Sequence, residues 1–568
     1  MDARHTLKTF AMVAWLRSAV LLFAFQRDPA MFLRAIVWRI RGLKVRSRNA
    51  IAVLAGQSPQ AYRLWIATRE PELPDRPLSD AVEISIVVFV DAQSTKCALT
   101  ATLRSALGAD EYRRILLYDP TNLNSQLSED ERSQFRLTTI QDGQALKDAL
   151  SALSGTWICP IMAGDCLGRN SLSFYRHRQQ ELPEGGWIFY GDDDLIGEDG
   201  SRTAPYFKPD WNAELYRFQD YLRFTCIVRI DDACIPTRHT VEASDFVTSM
   251  IRRTIDRHAI EPQHVALILH HRKRRTMDIP AAKIETPRLA PSPIAGEKVS
   301  VIIPTKNQYK LLKTCVDGVF LTDYPNKEII IIDHESDEQE SVEYIRHLET
   351  KGVSVMKWQG IFNYSQMNNQ AVEISTGSYL CFLNNDIEMT GSGWLSTLME
   401  QATRPDIGAI GAKLLYPNGT IQHAGVTIGI GGAAGHAHRY CPDDSRGYFD
   451  RPHLPQYMAA VTAACMVVKK DKFEHVGGFD GACFPVAFND VDLCLKLGKA
   501  GWKSLYEPRA VLIHHESVSR GSDMLRKNRT RFARELDTLK QKWGTDHAQD
   551  PYHNPNLSRL SEQFVIDI

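Results

Sequence analysis

Val299-Ser-Val-Ile-Ile-Pro-Thr-Lys-Asn307 is a short β-branched run closed by Pro304 and followed by a helical pattern, and it reads as a buried parallel strand. Glu328-Ile-Ile-Ile-Ile-Asp333 and Gly377-Ser-Tyr-Leu-Cys-Phe-Leu-Asn-Asn-Asp386 are two further runs of this kind, with helix-like segments between them. Strands that alternate with helices predict a parallel α/β sheet. A fainter copy lies upstream. Ile84-Ser-Ile-Val-Val-Phe89 parallels the first run and Gly155-Thr-Trp-Ile-Cys159 the third, at offsets of 215 and 222 residues, which suggests an internal duplication. Between the two copies Pro280, Pro287, Pro291 and Pro293 fall in a stretch without hydrophobic periodicity, the composition of an extended connector.

The chain has 568 residues, 43% hydrophobic and 24% charged, so whole-chain disorder and a multi-span membrane protein are both excluded. Lys and Arg total 67 against 68 Asp and Glu, and a net charge of -1 gives no overall attraction to nucleic acid. Eleven cysteines, scattered without a CxxC pair, argue against a disulfide framework or a structural zinc module and fit a reducing cytoplasm.

Residues 1–49 are different: ten basic side chains face only two acids, Asp2 and Asp28. Phe10 to Phe25 is apolar but for Arg17 and Ser18, shorter than the roughly 20 residues of a spanning helix, and it runs into Gln26, Arg27 and Asp28 rather than a cleavage site. A second apolar stretch, Met31 to Ile40, carries Arg34 and Arg39. The expectation is two basic amphipathic helices lying on an anionic leaflet, against the alternative that they dock on the protein's own body.

Polar residues at strand ends are the first candidates for chemistry, because open parallel sheets bind ligands there. Asp333 ends one strand; Asn384, Asn385 and Asp386 end another. A carboxylate in such a place can accept from a ribose or hold a divalent cation that bridges phosphates. In Ala487 to Trp502 the apolar residues keep helical spacing and Gly501 is a stop, so Asp490 falls at the amino end of a helix, where the dipole is expected to favour its ionised form. Ala510-Val-Leu-Ile513 then delivers His514, His515 and Glu516 to a strand end. Gly429-Ile-Gly-Gly-Ala-Ala-Gly435 has the spacing GxGxxxG, wrong for a dinucleotide fingerprint, and is expected to form a flexible loop over a ligand beside His436 and His438.

Taken in order, these motifs resemble family 2, GT-A fold glycosyltransferases, particularly the rhamnosyltransferase-like enzymes of bacterial O-antigen and exopolysaccharide assembly. The stretches that carry the resemblance are VSVIIPTKN (299–307), EIIIIDHES (328–336), FNYSQMNNQA (362–371), GSYLCFLNNDIE (377–388), VGGFD (476–480), FNDVDLCLKLGKAGW (488–502) and HHESVSRG (514–521). The resemblance implies a nucleotide pocket lined by Pro304, Thr305 and Asp333, and places Asn384, Asn385 and Asp386 where the family has DxD. Asp386 would then contact Mg²⁺ or Mn²⁺, Asp490 would be the catalytic base, and His514 would reach the metal or diphosphate, with His515 the less suitable of the pair. Asn384 stands where the family's first Asp would be, and Asn489 where Glu usually precedes the base. The implied reaction is inverting transfer from a nucleotide-diphosphate sugar to a lipid-linked or polysaccharide acceptor at the cytoplasmic face of the inner membrane. A decayed, glycan-binding scaffold is the competing reading, motivated by Asn384. A nucleotide-sugar hydrolase or dehydrogenase lacks a motif of its own.

Tyr190-Gly-Asp-Asp-Asp-Leu195 and Pro205-Tyr-Phe-Lys-Pro-Asp-Trp211 resemble a segment found ahead of such domains. Ungapped, the first-half counterparts of Asn384, Asn385 and Asp386 are Met162, Ala163 and Gly164, with Asp165 nearby, so this half is expected to be a degenerate GT-A-like domain; Asp192, Asp193 and Asp194 could bind a cation, but three acids in a turn are more often simply solvated. The organisation expected is a basic membrane-associating segment at 1–50, a degenerate domain at 80–276, a Pro-rich linker at 277–298, a catalytic domain at 299–545 and a tail at 546–568.

Overall fold

The computed structural model describes residues 3–71, 83–109, 114–135, 137–181, 186–237, 242–275, 296–515 and 526–568. Most of the expected linker, and residues 516–521 of the last motif, lie outside the described residues.

The first-half strands are Ile84–Phe89 (β1), Ile115–Tyr118 (β2), Leu137–Ile140 (β3), Trp157–Met162 (β4), Cys166–Leu167 (β5), Ile188–Ile196 (β6), Arg202–Tyr206 (β7), Cys226–Arg229 (β8) and Gln263–Arg272 (β9). They pair in the order β3-β2-β1-β4-β8-β6-β9-β5, with β7 on β6. The second half contributes Val299–Thr305 (β10), Lys327–His334 (β11), Ser354–Trp358 (β12), Tyr379–Leu383 (β13), Ile387–Met389 (β14), Ile407–Leu415 (β15), Ile421–His423 (β16), Val426–Ile428 (β17), Ala434–His436 (β18), Gln456–Met458 (β19), Cys465–Lys469 (β20) and Lys503–His514 (β21). Its main sheet runs β12-β11-β10-β13-β20-β15-β21-β14, with β16 on β15 and β19 on β21, while β17 and β18 pair separately.

The two eight-strand paths coincide position by position, in direction as well as order. β1 and β10 each lie between two parallel neighbours, β4 and β13 pair antiparallel with β8 and β20, and β6 and β15 run parallel to β9 and β21. Ile84 pairs with Trp157 as Val299 pairs with Tyr379, so the sequence offsets of 215 and 222 are structural equivalences. This is the α/β architecture of two tandem GT-A-like domains.

The β-branched runs are explained by burial on both faces. Val299, Val301 and Ile303 pack with Leu312, Cys315 and Val316, whereas Ile302, Ile330 and Ile332 pack with Met367, Val491 and Cys494 on the other side. Gly377 precedes β13 because a Cβ there would sit 2.6 Å from Ser300 Oγ and 2.7 Å from its backbone nitrogen.

Four helices precede the first sheet: Ala3–Arg27 (α1), Pro29–Ile40 (α2), Lys44–Gly56 (α3) and Ala61–Thr68 (α4). Asp28 caps α2 by accepting from the Met31 N–H at 2.8 Å, and Pro29 suits its first turn. Leu16, Val20 and Ala24, one stripe of α1, are buried, and Leu16 and Val20 pack with Ala55 and Leu64. At 25 residues α1 is longer than its apolar run, and Phe10–Arg27 is long and apolar enough, by length and composition, to cross a membrane. That window has 18 residues, two more than the apolar run Phe10 to Phe25. The outer face exposes Phe10, Trp15 and Leu22 of α1 and Leu33, Val37 and Ile40 of α2.

Residues 546–568 pack as a strap rather than project as a tail. Asn554 Nδ2 donates to Asp192 Oδ2 at 2.9 Å in the first half, Asp550 Oδ2 accepts from Ile428 N at 2.7 Å in the second, and Asp567 pairs with Arg69 at 2.6 Å. The halves also meet directly: Asn212 exchanges two hydrogen bonds with the Tyr457 backbone, and Tyr206 stacks on Phe449 with ring centroids 3.7 Å apart.

Candidate active site

At the carboxyl edge of the second sheet the register sets Thr305 beside Asp333 and Pro304 beside Ile332. Asn385 Nδ2 donates to Thr305 Oγ1 at 3.0 Å, and Asp333 Oδ1 accepts from Ser336 N at 3.1 Å. After β13 the chain turns through Asn384 and Asn385 into Asp386, which precedes β14. That short strand pairs antiparallel with β21, Ile387 opposite His514. The pairing brings His514 Nε2 within 3.2 Å of Asp386 Oδ1, both side chains buried. His515 points elsewhere, its Nε2 lying 2.8 Å from Glu388 Oε2.

Asp490 comes from a distant part of the sequence, and one loop joins it to this edge. Asn384 N donates to Ala464 O at 3.0 Å, while the neighbouring Ala463 N donates to Asp490 Oδ2 at 3.2 Å. Tyr364 Oη donates to Ala463 O at 3.2 Å, and Thr462 N donates to His423 Nε2 at 3.4 Å, fixing the loop from both sides. Sequence reading passed over Thr462, Ala463 and Ala464. Their only signal is a run of small residues ahead of β20, where backbone must come close to other chain.

Asp490 is the second residue of the helix Asn489–Lys499, after Phe488 in the left-handed region at φ 61°. Its Oδ1 also accepts from Val491 N at 2.8 Å. Burial nevertheless pushes its carboxyl above the ordinary value, against the backbone amides that lower it. The expectation that the helix terminus keeps it readily ionised is corrected: desolvation wins. A raised carboxylate is better matched to accepting a proton near neutral pH. Asn489 is not a capping side chain; its Nδ2 donates to Val486 O at 3.0 Å.

The glycine stretch 429–435 forms the tip and one strand of the β17–β18 hairpin rather than a flexible loop. Gly429, Gly431 and Gly432 take φ of 91°, 62° and 79°, and Gly431 N donates to Arg559 O in the strap at 2.8 Å. His436 Nδ1 lies 2.9 Å from Nδ1 of buried His423, whose basicity is well below normal because of burial.

The first-half edge is chemically closed. Asp165 precedes β5 as Asp386 precedes β14, and Cys166 pairs with His271 as Ile387 pairs with His514. Asp165 Oδ2, however, accepts from Arg272 Nε at 3.2 Å, and Oδ1 from Lys273 N at 2.8 Å. His271 turns instead to Asp194, at 2.7 Å.

Asp192, Asp193 and Asp194 are buried in β6, not solvated in a turn. Burial alone would raise Asp193, but Lys208 at 3.0 Å, Arg275 at 2.5 Å and Arg272 hold it well below the usual carboxylate range. Asp194 accepts from Tyr62 Oη and Arg202 Nε, each at 2.6 Å. The counterpart of the Asp490 position, counted from the helix N-cap, is Ser244.

Asp386 and His514 suit a divalent cation by donor type, a carboxylate oxygen beside an imidazole nitrogen, and buried His514 Nδ1 has no hydrogen-bond partner among the described residues. Among the described residues one further trio, Asp231, Cys234 and His258, has ligand atoms within 4.8 Å of one another, but it follows β8 in the first half and Arg257 already pairs with Asp231.

Residues 300–455 match the family model described as glycosyl transferase family 2. The uncharacterized protein y4gI of Sinorhizobium fredii is 34% identical over 91% of this chain and 63% of its own length. The O-antigen biosynthesis protein RfbC of Myxococcus xanthus is 30% identical over 88% of this chain and 42% of its own. An N-acetylglucosaminyl-diphospho-decaprenol L-rhamnosyltransferase of Mycobacterium tuberculosis is 29% identical over 29% of this chain and 55% of its own. The chain thus spans about half the length of the curated relatives it matches. Among solved structures, the mannosyltransferase PcManGT from Pyrobaculum calidifontis, in complex with GDP-Man and Mn²⁺, aligns with 46% of this chain and 67% of its own at 18% identity and a TM-score of 0.33. The likeness to glycosyl transferase family 2 is therefore carried by residues 300–455, which hold all but the first residue of β10, with β11, β13 and the Asn384–Asp386 turn.

Proposed function

We propose that the chain is an inverting, metal-dependent glycosyltransferase that moves a sugar from a nucleotide-diphosphate sugar to a hydroxyl of a growing, lipid-linked bacterial surface glycan. The observation that carries this reading is the loop whose adjacent residues Ala463 and Ala464 bond Asp490 on one side and Asn384 on the other. It couples a carboxylate of raised basicity to the turn that bears Asp386. The names of relatives that act in O-antigen biosynthesis or on a decaprenol diphosphate support the substrate class.

In this mechanism Thr305, Asp333, Asn384 and Asn385 bind the nucleotide portion, Pro304 shaping the pocket behind them. Asp386 and His514 would hold Mg²⁺ or Mn²⁺, which when bound offsets charge on the departing diphosphate. Asp490 orients the acceptor hydroxyl and takes its proton at Oδ as the oxygen attacks the anomeric carbon. One displacement inverts the configuration, so no enzyme nucleophile is required. The first half, its acids matched by internal cations, serves as scaffold.

The outer face of α1 and α2 gives the protein a place on the membrane. Phe10 and Ile40, 76% and 80% exposed, belong to an apolar surface interspersed with Arg17, Arg34 and Arg39, suited to an anionic cytoplasmic leaflet where lipid-linked acceptors are met.

The test is release of nucleoside diphosphate across a panel of nucleotide sugars, with Mg²⁺, Mn²⁺ or EDTA and with or without membrane lipid extract. Metal-dependent, acceptor-stimulated release that is lost in Asp490→Asn is the expected result. No turnover and no binding of any donor would move the glycan-binding scaffold ahead.

A further inference from the structure

The segment that follows the hairpin holds an aromatic platform that the mechanism above leaves unused. In the sheet, Leu414 pairs with Leu512 and Leu415 with Ile513, so Tyr416, the next residue, comes level with His514 on the neighbouring strand. Adjacent strands are about 4.8 Å apart. Tyr440 lies flat against Tyr416, ring centroids 5.4 Å apart and planes 6° from parallel. Arg439 donates from Nε and Nη2 to Tyr416 Oη, at 2.9 and 2.7 Å, and its guanidinium carbon is 4.9 Å from the Tyr440 ring centroid.

Two features set this stack apart from ordinary packing. Tyr440 is 58% exposed, so it fills no core. Its φ is 65° and that of His438 is 59°, left-handed conformations that bulky L-residues rarely adopt. Such strain persists only where the surroundings enforce it, and it gathers at ligand sites. The surroundings here are rigid. His438 is buried and stacks on Phe564 at 4.6 Å, its N–H donates to Glu562 O at 2.7 Å, Gln563 Nε2 donates to Arg439 O at 3.3 Å, and Tyr440 N donates to Ile421 O at 2.8 Å. The strap and β16 thus hold an exposed tyrosine in a costly backbone shape beside the candidate metal position.

We propose that Tyr416, Arg439 and Tyr440 form a subsite for a pyranose ring of the acceptor glycan, the rings meeting the sugar's C–H face and the guanidinium and phenol groups its hydroxyls. This rests on the glycosyltransferase reading. The donor sugar has the same chemistry, but the nucleotide-facing residues sit on β10 and β11 and in the turn after β13, and β15 is three places from β10 and two from β13 along the sheet. The acceptor side is therefore assigned.

The test uses the full chain with Tyr440→Ala and Tyr440→Phe. With bacterial membrane lipid extract as acceptor, Tyr440→Ala should raise the half-saturating acceptor concentration by roughly two- to tenfold, the range of a lost aromatic contact, while donor KM stays at its wild-type value and Tyr440→Phe, which keeps the ring and loses only the phenol oxygen, raises the acceptor value less. A second arm needs no turnover: saturation-transfer NMR with oligosaccharides released from that extract by mild acid, on Asp490→Asn protein with and without Tyr440→Ala. Loss of transfer in the double variant supports the subsite even if no donor is consumed. Unchanged acceptor saturation, equal transfer to both proteins, or a donor KM shifted as much as the acceptor value overturns it, whereas loss of metal-dependent turnover in the wild type counts against the transferase reading alone.

Discussion

Asp490→Asn separates chemistry from architecture. The substitution replaces one oxygen by nitrogen; the remaining oxygen can still accept from the Ala463 amide, so the loop from Ala463 to Asn384 keeps its place, while the contact from Val491 N to the other oxygen is lost. What is lost is proton acceptance, worth roughly 10²- to 10⁴-fold in rate, or about 3–5 kcal/mol of transition-state stabilisation at ~1.36 kcal/mol per tenfold. Donor KM should hardly move, because Asp490 stands on the opposite side of that loop from Asn384 and Asn385. Stability should move the other way. Burial raises the Asp490 carboxyl in the folded state, so the favourable contribution of its neutral form is complete below the ordinary carboxylate pKa and is lost as pH rises through the raised folded value. Above that window the wild type folds around a desolvated charge and the Asn variant does not. Thermal unfolding from pH 4 to 8 should therefore show the variant gaining on the wild type as pH rises, then a constant difference. The same group sets the acid limb of the kcat/KM profile, which should lie above the ordinary carboxylate range. Turnover within tenfold of wild type, or a stability difference that does not shift towards the variant between pH 4 and pH 8, would refute the reasoning.

Asp386→Ala should weaken donor binding and abolish its dependence on added Mn²⁺, read by titrating nucleotide sugar with and without EDTA; metal-dependent binding that survives would place the cation elsewhere. Trp15→Asp with Leu22→Asp puts two charges on the outer face of α1 without touching Leu16, Val20 or Ala24, and should release the protein from anionic vesicles in a flotation assay while leaving its melting temperature unchanged. Continued flotation would remove that face from the membrane contact. Lys208→Met leaves Asp193 short of a buried partner 3.0 Å away, a loss of about 3–5 kcal/mol for a broken buried pair. A lower unfolding midpoint with unchanged donor KM is expected, and an unchanged midpoint would show that Arg275 and Arg272 neutralise Asp193 alone.

What the sequence disclosed was local and periodic. Val299 to Thr305 and Glu328 to Asp333 read as strands because burial on both faces demands unbroken β-branched residues, and Val491, Cys494 and Gly498 marked a helix that Gly501 ends at φ 96°. Position on a helix also placed Asp490 at its first turn. Whether burial or the dipole governs its proton could not be read there, since the walls that desolvate it come from elsewhere in the chain. Asp192, Asp193 and Asp194 misled for the same reason. Three adjacent acids look solvated until β9 and the Pro205–Trp211 stretch supply His264, His271 and Lys208. The strap at 546–568 has no periodicity because its contacts reach β6, the β17–β18 hairpin and α3 in turn.

The two halves show how one topology supports opposite electrostatic outcomes. At the position shared by Asp165 and Asp386, the first half supplies Arg272, a cation that is always charged and cannot leave. A dissolved metal would have to displace a tethered guanidinium and break the Lys273 amide contact as well. The second half supplies His514, an imidazole nitrogen donor, and in the proposed mechanism this would leave the carboxylate's charge to an exchangeable ion. With its cation built in, the first half is free of any need for an open edge, and that edge is covered: Tyr62 of α4 reaches Asp194 and Asn554 of the strap reaches Asp192. The same strap then continues to Glu562, Gln563 and Phe564, which grip His438 and Arg439 beside the second edge. A neutralised first site is thus mechanically useful, since a fixed ion network, unlike one that loads and unloads a metal, gives the strap a constant anchor from which to hold Tyr440 in place.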